Sequence, residues 1–437
     1  MSVSSTSTVS RGNTAPSWGR LPVENGSLSG DLRQFRNGEN VLVRGLGRSY
    51  GDVCTNPGGT VLSTFSLNKL LSFDESTGVL TCEAGVTISE IQKLFVHRGW
   101  LSPVTPGTQF VTVAGAIAND VHGKNHHSMG TFGEHVLSMT LARTSGEVMR
   151  CSPTENAELF RATIGGLGLT GFILQATIQL QPVPGPWMDT ENVVFQNMSE
   201  FLEISDASES DWDYSVSWFD CANSSIGKGI FMRGNHADHP EKALPKDKQI
   251  TFPLAPPFSL VNQLSVKAIS KAYYWLGARK KGVQVTHYQP YFYPLDAILQ
   301  WNKMYGKNGF YQHQCVVPRT NGEETLQRIL ETIHRAKQGS FLGVLKTFGD
   351  RKPAGLLSFA RSGITLALDF PNLGTKTLDL MNELDGIVVS VGGAINPSKD
   401  ARMSRGTFES GFPRFREFAE FRDPGISSGL SRRLLGS

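Results

Sequence analysis

Two glycine-punctuated segments constrain what this chain can fold into more than any other feature of it. The first reads RGLGRSYGD over residues 44–52, and the second reads PGTQFVTVAGAIANDVHGKNHHSMGTFG over residues 106–133. Glycine and other small residues allow a backbone to approach a bound ligand closely, and successive N–H groups in such a loop can surround a phosphate. Two loops of this kind on neighbouring elements predict a site that holds a large dinucleotide along its length.

Each segment is a weak indication when it is taken alone. The GLG of residues 45–47 does not complete a G-x-G-x-x-G fingerprint, because position 50 is a tyrosine, so a nicotinamide-type motif is absent. A tight turn between two strands accounts for residues 44–52 equally well. A third segment, IGGLGLTG at residues 164–171, is a flexible turn by itself, because the Lys-Ser/Thr pair of a phosphate-binding loop does not follow it.

Bulk properties limit the class of protein. The length of 437 residues predicts two domains, and the formal net charge of +3 does not support a general role in nucleic-acid binding. The sequence has no apolar run long enough for a transmembrane helix, and its Ser/Thr-rich start does not read as a secretory signal. The five cysteines are far apart and odd in number, which favours reduced thiols in a cytoplasmic protein.

Hydrophobic patterning predicts an α+β chain. Alternation from Phe172 to Leu180 is typical of a half-buried antiparallel strand, and a capping box at residues 87–90 begins a helix. The proline-rich residues 182–186 then mark a domain boundary. The other predicted strands are 40–44, 59–64, 78–84, 136–143, 147–151, 310–317, 341–347, 364–370 and 387–392, and the other predicted helices are 155–162, 323–336 and 375–384.

The segment at about 240–290 differs in composition from the rest of the chain. It combines prolines and aromatic residues with the basic residues Lys267, Lys271, Arg279, Lys280 and Lys281. One interpretation is an ordinary insertion with a solvated basic edge. The other is a mobile lid or a contact with a membrane surface.

Several sequence words together resemble one family. They are RGLGRSYGD, VTPGT, GAIA, HGKNHHS and GLTG, followed by Trp218-Phe219-Asp220 and Lys399-Asp400. The chain resembles the vanillyl-alcohol-oxidase-like flavoproteins, and within them the oxidases of decaprenylphosphoryl-β-D-ribose. The resemblance implies a PCMH-type FAD-binding domain over residues 1–185, completed by residues 394–437. It also implies an antiparallel-sheet substrate domain, covered by helices, over residues 186–393.

The resemblance also implies an activity. FAD would accept a hydride while a secondary alcohol of a sugar becomes a ketone, with a polyprenyl-phosphoribose oxidised at its 2′ position. A separate NAD(P)H-dependent ketoreductase would complete an epimerisation that supplies arabinose donors for cell-wall arabinan, and a peripheral membrane contact would suit the lipid-linked substrate. Two alternatives stay open: an oxidase of a soluble sugar alcohol, aldonolactone or antibiotic precursor, and a non-catalytic binding protein with this fold.

Cofactor contacts are implied residue by residue. Sugar-alcohol oxidases of the superfamily often tether FAD through a histidine in the first glycine loop, and no histidine is present there, so non-covalent FAD is predicted. The implied FAD contacts are Val43, Arg44, Gly45, Leu46, Gly47, Arg48, Ser49, Tyr50, Gly51, Gly107, Thr112, Val113, Ala114, Gly115, Asn119, Asp120, Val121, His122, Ile173 and Asn396.

His122 and Lys399 are the predicted catalytic residues. A zinc site of His122, His126 and His127 lacks an acid or cysteine at familiar spacing, and a structural histidine is the other alternative. Lys399 precedes an aspartate, so an exposed ion pair is the simple interpretation, whereas the family places this lysine beside flavin and substrate. There it would either stabilise negative charge or accept the hydroxyl proton.

The substrate pocket is predicted from the same resemblance, and no metal is expected in it. Its implied residues are Tyr50, Lys124, Trp218, Gln312, Gln314, Lys346 and Lys399. Two positions depart from the family pattern: Asn396 replaces a tyrosine that contacts FAD, and Ala367 replaces a cysteine. These departures leave the exact sugar open.

Overall fold

The computed structural model describes residues 16–22, 26–221, 227–245 and 249–436. The predicted N-terminal tail, through residue 10, lies outside the described residues. Two small sheets form the first part of the fold. In a parallel three-stranded sheet, Thr60–Ser63 lies between Ser27–Ser29 and Val41–Arg44. The strands of the antiparallel five-stranded sheet follow the order Leu70–Asp74, Val79–Glu83, Phe172–Gln179, Val136–Ala142 and Val148–Cys151.

The alternation predicted for the central strand of the five-stranded sheet is confirmed in outline. Phe172, Ala176 and Ile178 are buried, whereas Thr177 and Gln179 are only partly so. The predicted capping box is present, since Thr87 accepts a hydrogen bond from the backbone of Glu90 and the Glu90 carboxylate accepts one from the backbone of Thr87.

An antiparallel eight-stranded sheet forms the second part of the fold. Its order is Gln284–His287, Trp187–Phe195, Gly229–Ala237, Tyr214–Phe219, Val344–Phe348, Gly363–Pro371, Phe310–Val317 and Ala394–Ile395. Two short ladders lie outside these sheets, Trp100–Leu101 with Gln181–Pro182 and Ile250–Thr251 with Ile298–Leu299. The proline-rich residues 182–186 therefore connect the last strands of the first part to the first long strand of the large sheet.

The long helices, of 11 to 16 residues, all lie in the second part of the chain, and the other helices have eight residues or fewer. Their bounds are Ile88–Phe95, Val113–Ala118, His126–Met129, Ala157–Thr163, Met198–Ser208, Gln263–Ala278, Tyr288–Phe292, Gly322–Arg335, Thr375–Ser390, Arg405–Gly411, Phe415–Ala419 and Gly429–Leu434. No helix among the described residues is long and apolar enough to cross a membrane.

The two faces of the large sheet are covered differently. Phe231 packs beside Phe201 of helix Met198–Ser208, on the face that this helix shares with Gly322–Arg335 and Thr375–Ser390. The neighbouring Ile230 points to the other side, where it meets Gly277 of helix Gln263–Ala278. Three helices thus cover one face, while one helix covers only an edge of the opposite face.

One secondary-structure prediction is wrong. Residues 387–392 do not form a strand, because helix Thr375–Ser390 continues through most of them. Ile387 and Val388 are β-branched, but they extend the buried stripe that Leu380 and Leu384 begin, so packing outweighs their strand propensity.

The C-terminal segment returns to the first part of the fold. Val41 donates a backbone hydrogen bond to Gly425 and pairs with Ile426 in a parallel bridge. Arg433 forms an ion pair with Asp52 at 2.8 Å. Because residues 394–395 also add a strand to the large sheet, the C-terminal segment ties both parts of the fold together.

Candidate active site

One large cavity lies between the two glycine-rich loops and the open face of the eight-stranded sheet. The cavity has a volume of about 380 Å³. Its walls include residues 43–50, 105–108, 118–124, 171–173, 216–218, 294–296 and 298–301, together with side chains from four strands of the large sheet. The two segments that the sequence singled out therefore line one site.

The first loop offers unused backbone donors. Within the described part of the chain, the N–H groups of residues 46–49 have no hydrogen-bond acceptor. Gly47 has a φ of 63°, which turns the backbone in the left-handed region. A methyl group on Gly45 would lie 2.4 Å from Thr112 Oγ1, so only glycine lets the two loops approach each other. Successive free N–H groups are suited to a phosphate or pyrophosphate.

The second loop combines small side chains with one orphaned polar atom. Thr112 caps helix Val113–Ala118 by accepting a hydrogen bond from the backbone of Gly115 at 3.1 Å. Asn119 donates to Gly115 O at 2.8 Å, while its Oδ1 is buried without a partner among the described residues. Because Asn119 lines the cavity, this oxygen is free to accept a bond from a ligand. Narrow walls and free donors and acceptors fit an elongated dinucleotide.

A series of hydrogen-bonded side chains connects the second loop to the sheet through His122. Nε2 of His122 lies 3.0 Å from Nε2 of Gln314, whose Oε1 accepts a hydrogen bond from Asn396 at 2.9 Å. Nδ1 of His122 lies 3.0 Å from Nζ of Lys346. Burial and the neighbouring cations hold the pKa of His122 well below its usual range, so the imidazole is neutral.

Three lysines converge on the cavity. Protein surrounds Lys124, Lys346 and Lys399 on most sides, and this desolvation lowers their pKa values to about 7, about 7 and about 8. None of the three forms an ion pair with a carboxylate in the described structure. Lys124 instead donates to the carbonyl of Tyr291, so the cavity favours an anionic ligand.

Lys399 faces the cavity and not its neighbour in sequence. Its Nζ lies 4.1 Å from the centre of the Tyr50 ring, and it makes no hydrogen bond with the described residues. Asp400 pairs instead with Arg433 at 3.1 Å, so an exposed Lys399–Asp400 pair is excluded. The free ammonium or amine of Lys399 is therefore available to a ligand.

A buried carboxyl lies behind Lys399. Gln312 donates to Asp369 Oδ1 at 2.6 Å and also hydrogen-bonds to the Tyr50 hydroxyl. Oδ2 of Asp369 is buried without a partner among the described residues. Burial raises the pKa of Asp369 to about 7, and its charge raises that of Lys399 in return.

The remaining histidines have other surroundings. His126 is buried beside Phe348 at 4.5 Å between ring centres, and His127 bonds to the carbonyl of Trp212. Within the described residues, no group of three His, Cys, Asp or Glu side chains is placed to hold a metal ion. All five cysteines are free thiols.

Most residues predicted for the site line the cavity, including all seven of the implied substrate pocket, and two do not. Val113 is fully buried in the core beneath the second loop. Gly51 faces the backbone of Asp400, where a methyl group would lie 1.7 Å from the carbonyl oxygen. These two residues therefore lie behind the cavity-lining surface of the loops, and their predicted contact with FAD stays a prediction.

Several residues that line the cavity were not predicted from the sequence. Trp18, Tyr273 and residues 294–296 and 298–301 line the cavity but belong to no recognisable motif. Phe110 also lines it and lies within the second glycine-rich segment, but it was not predicted as a site residue. Trp18 and Phe110 enclose the guanidinium of Arg48 at 4.2 and 5.1 Å, and burial lowers the pKa of Arg48. Only the aromatic residues of the 240–290 segment gave a signal that could have suggested Tyr273.

Known proteins are similar to this chain over different lengths. A family model described as FAD binding domain matches residues 32–152. The decaprenylphosphoryl-beta-D-ribose oxidase of Mycolicibacterium smegmatis is 38% identical over 91% of this chain and 89% of its own. An uncharacterised Streptomyces coelicolor protein is 30% identical over 80% of this chain and 100% of its own. The L-gulonolactone oxidase of Mus musculus is 31% identical over 32% of each chain.

Proposed function

The chain belongs to the family of FAD-dependent oxidoreductases that includes the M. smegmatis decaprenylphosphoryl-β-D-ribose oxidase, and on this premise we propose that it oxidises a polyprenyl-phosphoribose to its 2′-keto form. The observation that carries the proposal is the group of three cavity lysines without carboxylate partners. A sugar phosphate would bring negative charge to amines that have no carboxylate ion-pair partner, whereas a neutral sugar alcohol would bring none.

The two loops are proposed to hold FAD without a covalent bond. The free N–H groups of residues 46–49 would bind its pyrophosphate, and the small residues of the second loop would lie against its rings. When bound, FAD supplies the acceptor for the hydride that leaves the sugar carbon. The first loop contains no histidine that could tether the cofactor, which supports non-covalent binding.

The chain's own residues are proposed to bind the sugar and take its proton. Gln312 and Gln314 offer amide groups to hydroxyls, and Trp218 forms an apolar wall beside Tyr273 at 4.8 Å between ring centres. Lys399 has a nitrogen that is free of hydrogen bonds and a pKa of about 8. It therefore suits the acceptor of the hydroxyl proton at neutral to mildly basic pH.

Two partners follow from this reaction. A 2′-keto product becomes an epimer only when a second enzyme reduces the ketone from the opposite face, so an NAD(P)H-dependent ketoreductase is proposed to act next. A substrate with a polyprenyl chain also implies a membrane surface from which the sugar phosphate reaches the cavity.

Helix Gln263–Ala278 supports the membrane contact. It buries Val266, Ser270 and Gly277, whereas Leu264 is 82% exposed and Leu276 is 58% exposed. At about 100° per residue, its outward arc carries the apolar residues Leu264, Ala268, Ala272, Trp275 and Leu276. Lys267 and Lys271 lie along one flank of that arc, a pattern typical of helices on anionic membranes.

The outward face is continuous with the cavity. Tyr273, on the inner edge of the same helix, lines the cavity beside Trp218. Leu254 and Phe258 of the preceding segment are also exposed. A polyprenyl chain could thus remain in the bilayer while its sugar phosphate enters the site.

A substrate screen tests the reaction. Oxidised flavins absorb near ~450 nm, so anaerobic loss of this absorption reports oxidation of the substrate. We expect bleaching with a polyprenyl-phosphoribose and little with free alditols or aldonolactones. Bleaching by the soluble compounds alone would assign the chain to the alternative oxidases, and a protein that retains no flavin would contradict both.

Vesicle sedimentation tests the membrane surface. We expect binding to phosphatidylcholine vesicles that contain phosphatidylglycerol, and at least about tenfold weaker binding after Leu264→Ser, Trp275→Ser and Leu276→Ser together. A matched triple variant changes Leu94, Leu137 and Leu373 to serine, since these leucines are similarly exposed but lie elsewhere. Equal loss in both variants, or none in the first, would contradict this surface.

A further inference from the structure

The hydrogen bonds that meet at His122 have a direction that the backbone fixes. The N–H of Ser398 can only donate, and it lies 3.0 Å from Asn396 Oδ1. The Ser398 hydroxyl donates to the same oxygen at 2.8 Å. The amide of Asn396 therefore keeps its oxygen toward Ser398 and its NH₂ group toward Gln314.

The same direction passes through Gln314. Asn396 Nδ2 is a donor, so the atom facing it at 2.9 Å must be the acceptor Oε1 of Gln314. The NH₂ group of Gln314 then points at His122, 3.0 Å from its Nε2. An amide NH₂ group only donates, and Nε2 of His122 must therefore be the unprotonated nitrogen of the ring.

The other ring nitrogen must carry the proton, because the imidazole is neutral. Nδ1–H of His122 points at Nζ of Lys346 at 3.0 Å, and Nζ can accept this bond only as an uncharged amine. We infer that Asn396 fixes the proton of His122 on Nδ1 and thereby keeps Lys346 uncharged. Asn396 is a positioning residue, since it acts on Lys346 through Gln314 and His122.

The charges around Lys346 agree with this assignment. Lys124 and Lys399 face it in the cavity, and His122 and His126 lie on the facing loop. Every titratable group that influences Lys346 is thus a base, and burial together with these cations lowers its pKa to about 7. With no carboxylate among these neighbours, an ammonium at this position would be poorly stabilised.

The opposite arrangement conflicts with the backbone. A charged Lys346 would donate to Nδ1, which would place the proton of His122 on Nε2. Gln314 would then have to turn its oxygen toward His122 and its NH₂ group toward Asn396. Asn396 would have to turn in response, which would set its NH₂ group against the N–H of Ser398.

The inference gives the lysines different roles, and this step rests on the proposed function. Lys346 uses its lone pair on His122 and one N–H on the carbonyl of Gly123, at 2.9 Å, so it retains a single N–H for a substrate oxygen. Lys399 has no such partner in the described structure. The hydroxyl proton therefore goes to Lys399 and not to Lys346.

Nitrogen NMR of the full-length, flavin-loaded protein tests the inference without substrate. With ¹⁵N-labelled histidine rings, and the signals of His122 assigned by the variant His122→Gln, we expect a protonated Nδ1 and an unprotonated Nε2. Lysine Nζ signals should show Lys346 as a neutral amine at pH 8. A protonated Nε2, or an ammonium at Lys346 at this pH, would overturn the inference.

The variant Asn396→Asp should reverse the direction of the hydrogen bonds that run from residue 396 through Gln314 to His122. A carboxylate only accepts, so Gln314 should turn its NH₂ group toward it and its oxygen toward His122. We expect the His122 proton to move to Nε2 and the pKa of Lys346 to rise by about one unit or more. A carboxylate acting through charge alone would raise that pKa with the proton still on Nδ1, and this result would exclude the positioning role.

Ser398→Ala is the matched control. It removes the hydroxyl but retains the backbone N–H that orients Asn396, so the proton of His122 should stay on Nδ1. A proton that moves in this variant would also contradict the inference. Neither the histidine nor the lysine readout needs turnover. A failed substrate screen would therefore contradict the proposed function without contradicting this inference.

Discussion

Helices Gly322–Arg335 and Gln263–Ala278 lie on opposite faces of one sheet and use their apolar residues in opposite ways. The first buries Leu326, Ile329, Leu330 and Ile333 against the sheet and its neighbouring helices and exposes polar residues. The second turns small residues inward and leucine and tryptophan outward. The first arrangement stabilises the fold, whereas the second leaves apolar surface that only a binding partner would cover.

The sheet itself shows the same contrast. Its helix-covered face contributes Phe231 and Leu345 to the hydrophobic core. Its cavity face carries Lys346, Gln314 and other polar side chains in a desolvated space. Desolvated lysine amines without counter-charges are unfavourable for folding, so we interpret this face as shaped for binding and the opposite face as shaped for stability.

The largest expected effect is on the cavity face. Lys399→Ala should slow substrate-dependent bleaching of the flavin by about 10²- to 10⁴-fold, because it removes the proton acceptor. The protein should still fold and retain flavin, since Lys399 packs into no apolar core. Stopped-flow absorbance under anaerobic conditions measures the rate. Lys376→Ala, an exposed lysine on the helix-covered side, is the control, and equal rates in all three proteins would refute the role of Lys399.

The next effect separates the two helices directly. Ile329→Ala should lower the free energy of unfolding by about 2–4 kcal/mol, because it leaves a cavity in the core. Leu264→Ala removes a similar side chain from a highly exposed position and should change stability by less than about 0.5 kcal/mol. Urea denaturation followed by fluorescence compares them. A large destabilisation by Leu264→Ala would show that the outer helix is packed in solution and would break the comparison.

The same contrast explains how much the sequence predicted. Strand Phe310–Val317 was predicted with its observed bounds. Helix Gly322–Arg335 was predicted within one residue at each end, because it follows the usual rule of apolar residues inside. Helix Gln263–Ala278 was not predicted as a helix. Its apolar residues do not mark its buried side, so their spacing gave no guide to where it packs.

The residues of the site also differ in whether the sequence predicted them. The glycine loops were predicted because close backbone approach requires particular residues in a local pattern. Asp369 was not predicted, because its importance arises from strand pairing that places it opposite Gln312 and from its charge beside Lys399. A single buried aspartate has no local sequence signal. The direction of the hydrogen bonds through Asn396 likewise depends on three separate segments of the chain.

A third variant should have the opposite sign from Ile329→Ala. Lys346→Met replaces a desolvated amine with an apolar side chain of similar length and should raise the free energy of unfolding by ~2 kcal/mol at pH 7. The pKa of Lys346 is lowered from 10.5 to about 7 in the folded protein. Between these two pH values the unfolded chain therefore binds more protons than the folded protein does. The stabilisation should therefore shrink as the pH rises toward 10. A destabilised variant would mean that the bonds to His122 and Gly123 outweigh desolvation.

The smallest effect tests how the carboxyl behind the cavity tunes Lys399. Asp369→Asn removes a negative charge that raises the pKa of Lys399, so this pKa should fall below about 8, by about half a unit to one unit. If neutral Lys399 accepts the hydroxyl proton, the rate of bleaching rises with pH through this pKa, and the midpoint should move to lower pH in the variant. Asp379→Asn, an exposed aspartate, should leave the midpoint unchanged. A rate that falls with rising pH would instead assign Lys399 the role of a positively charged stabiliser, and the variant should then lose activity at a lower pH than the parent protein.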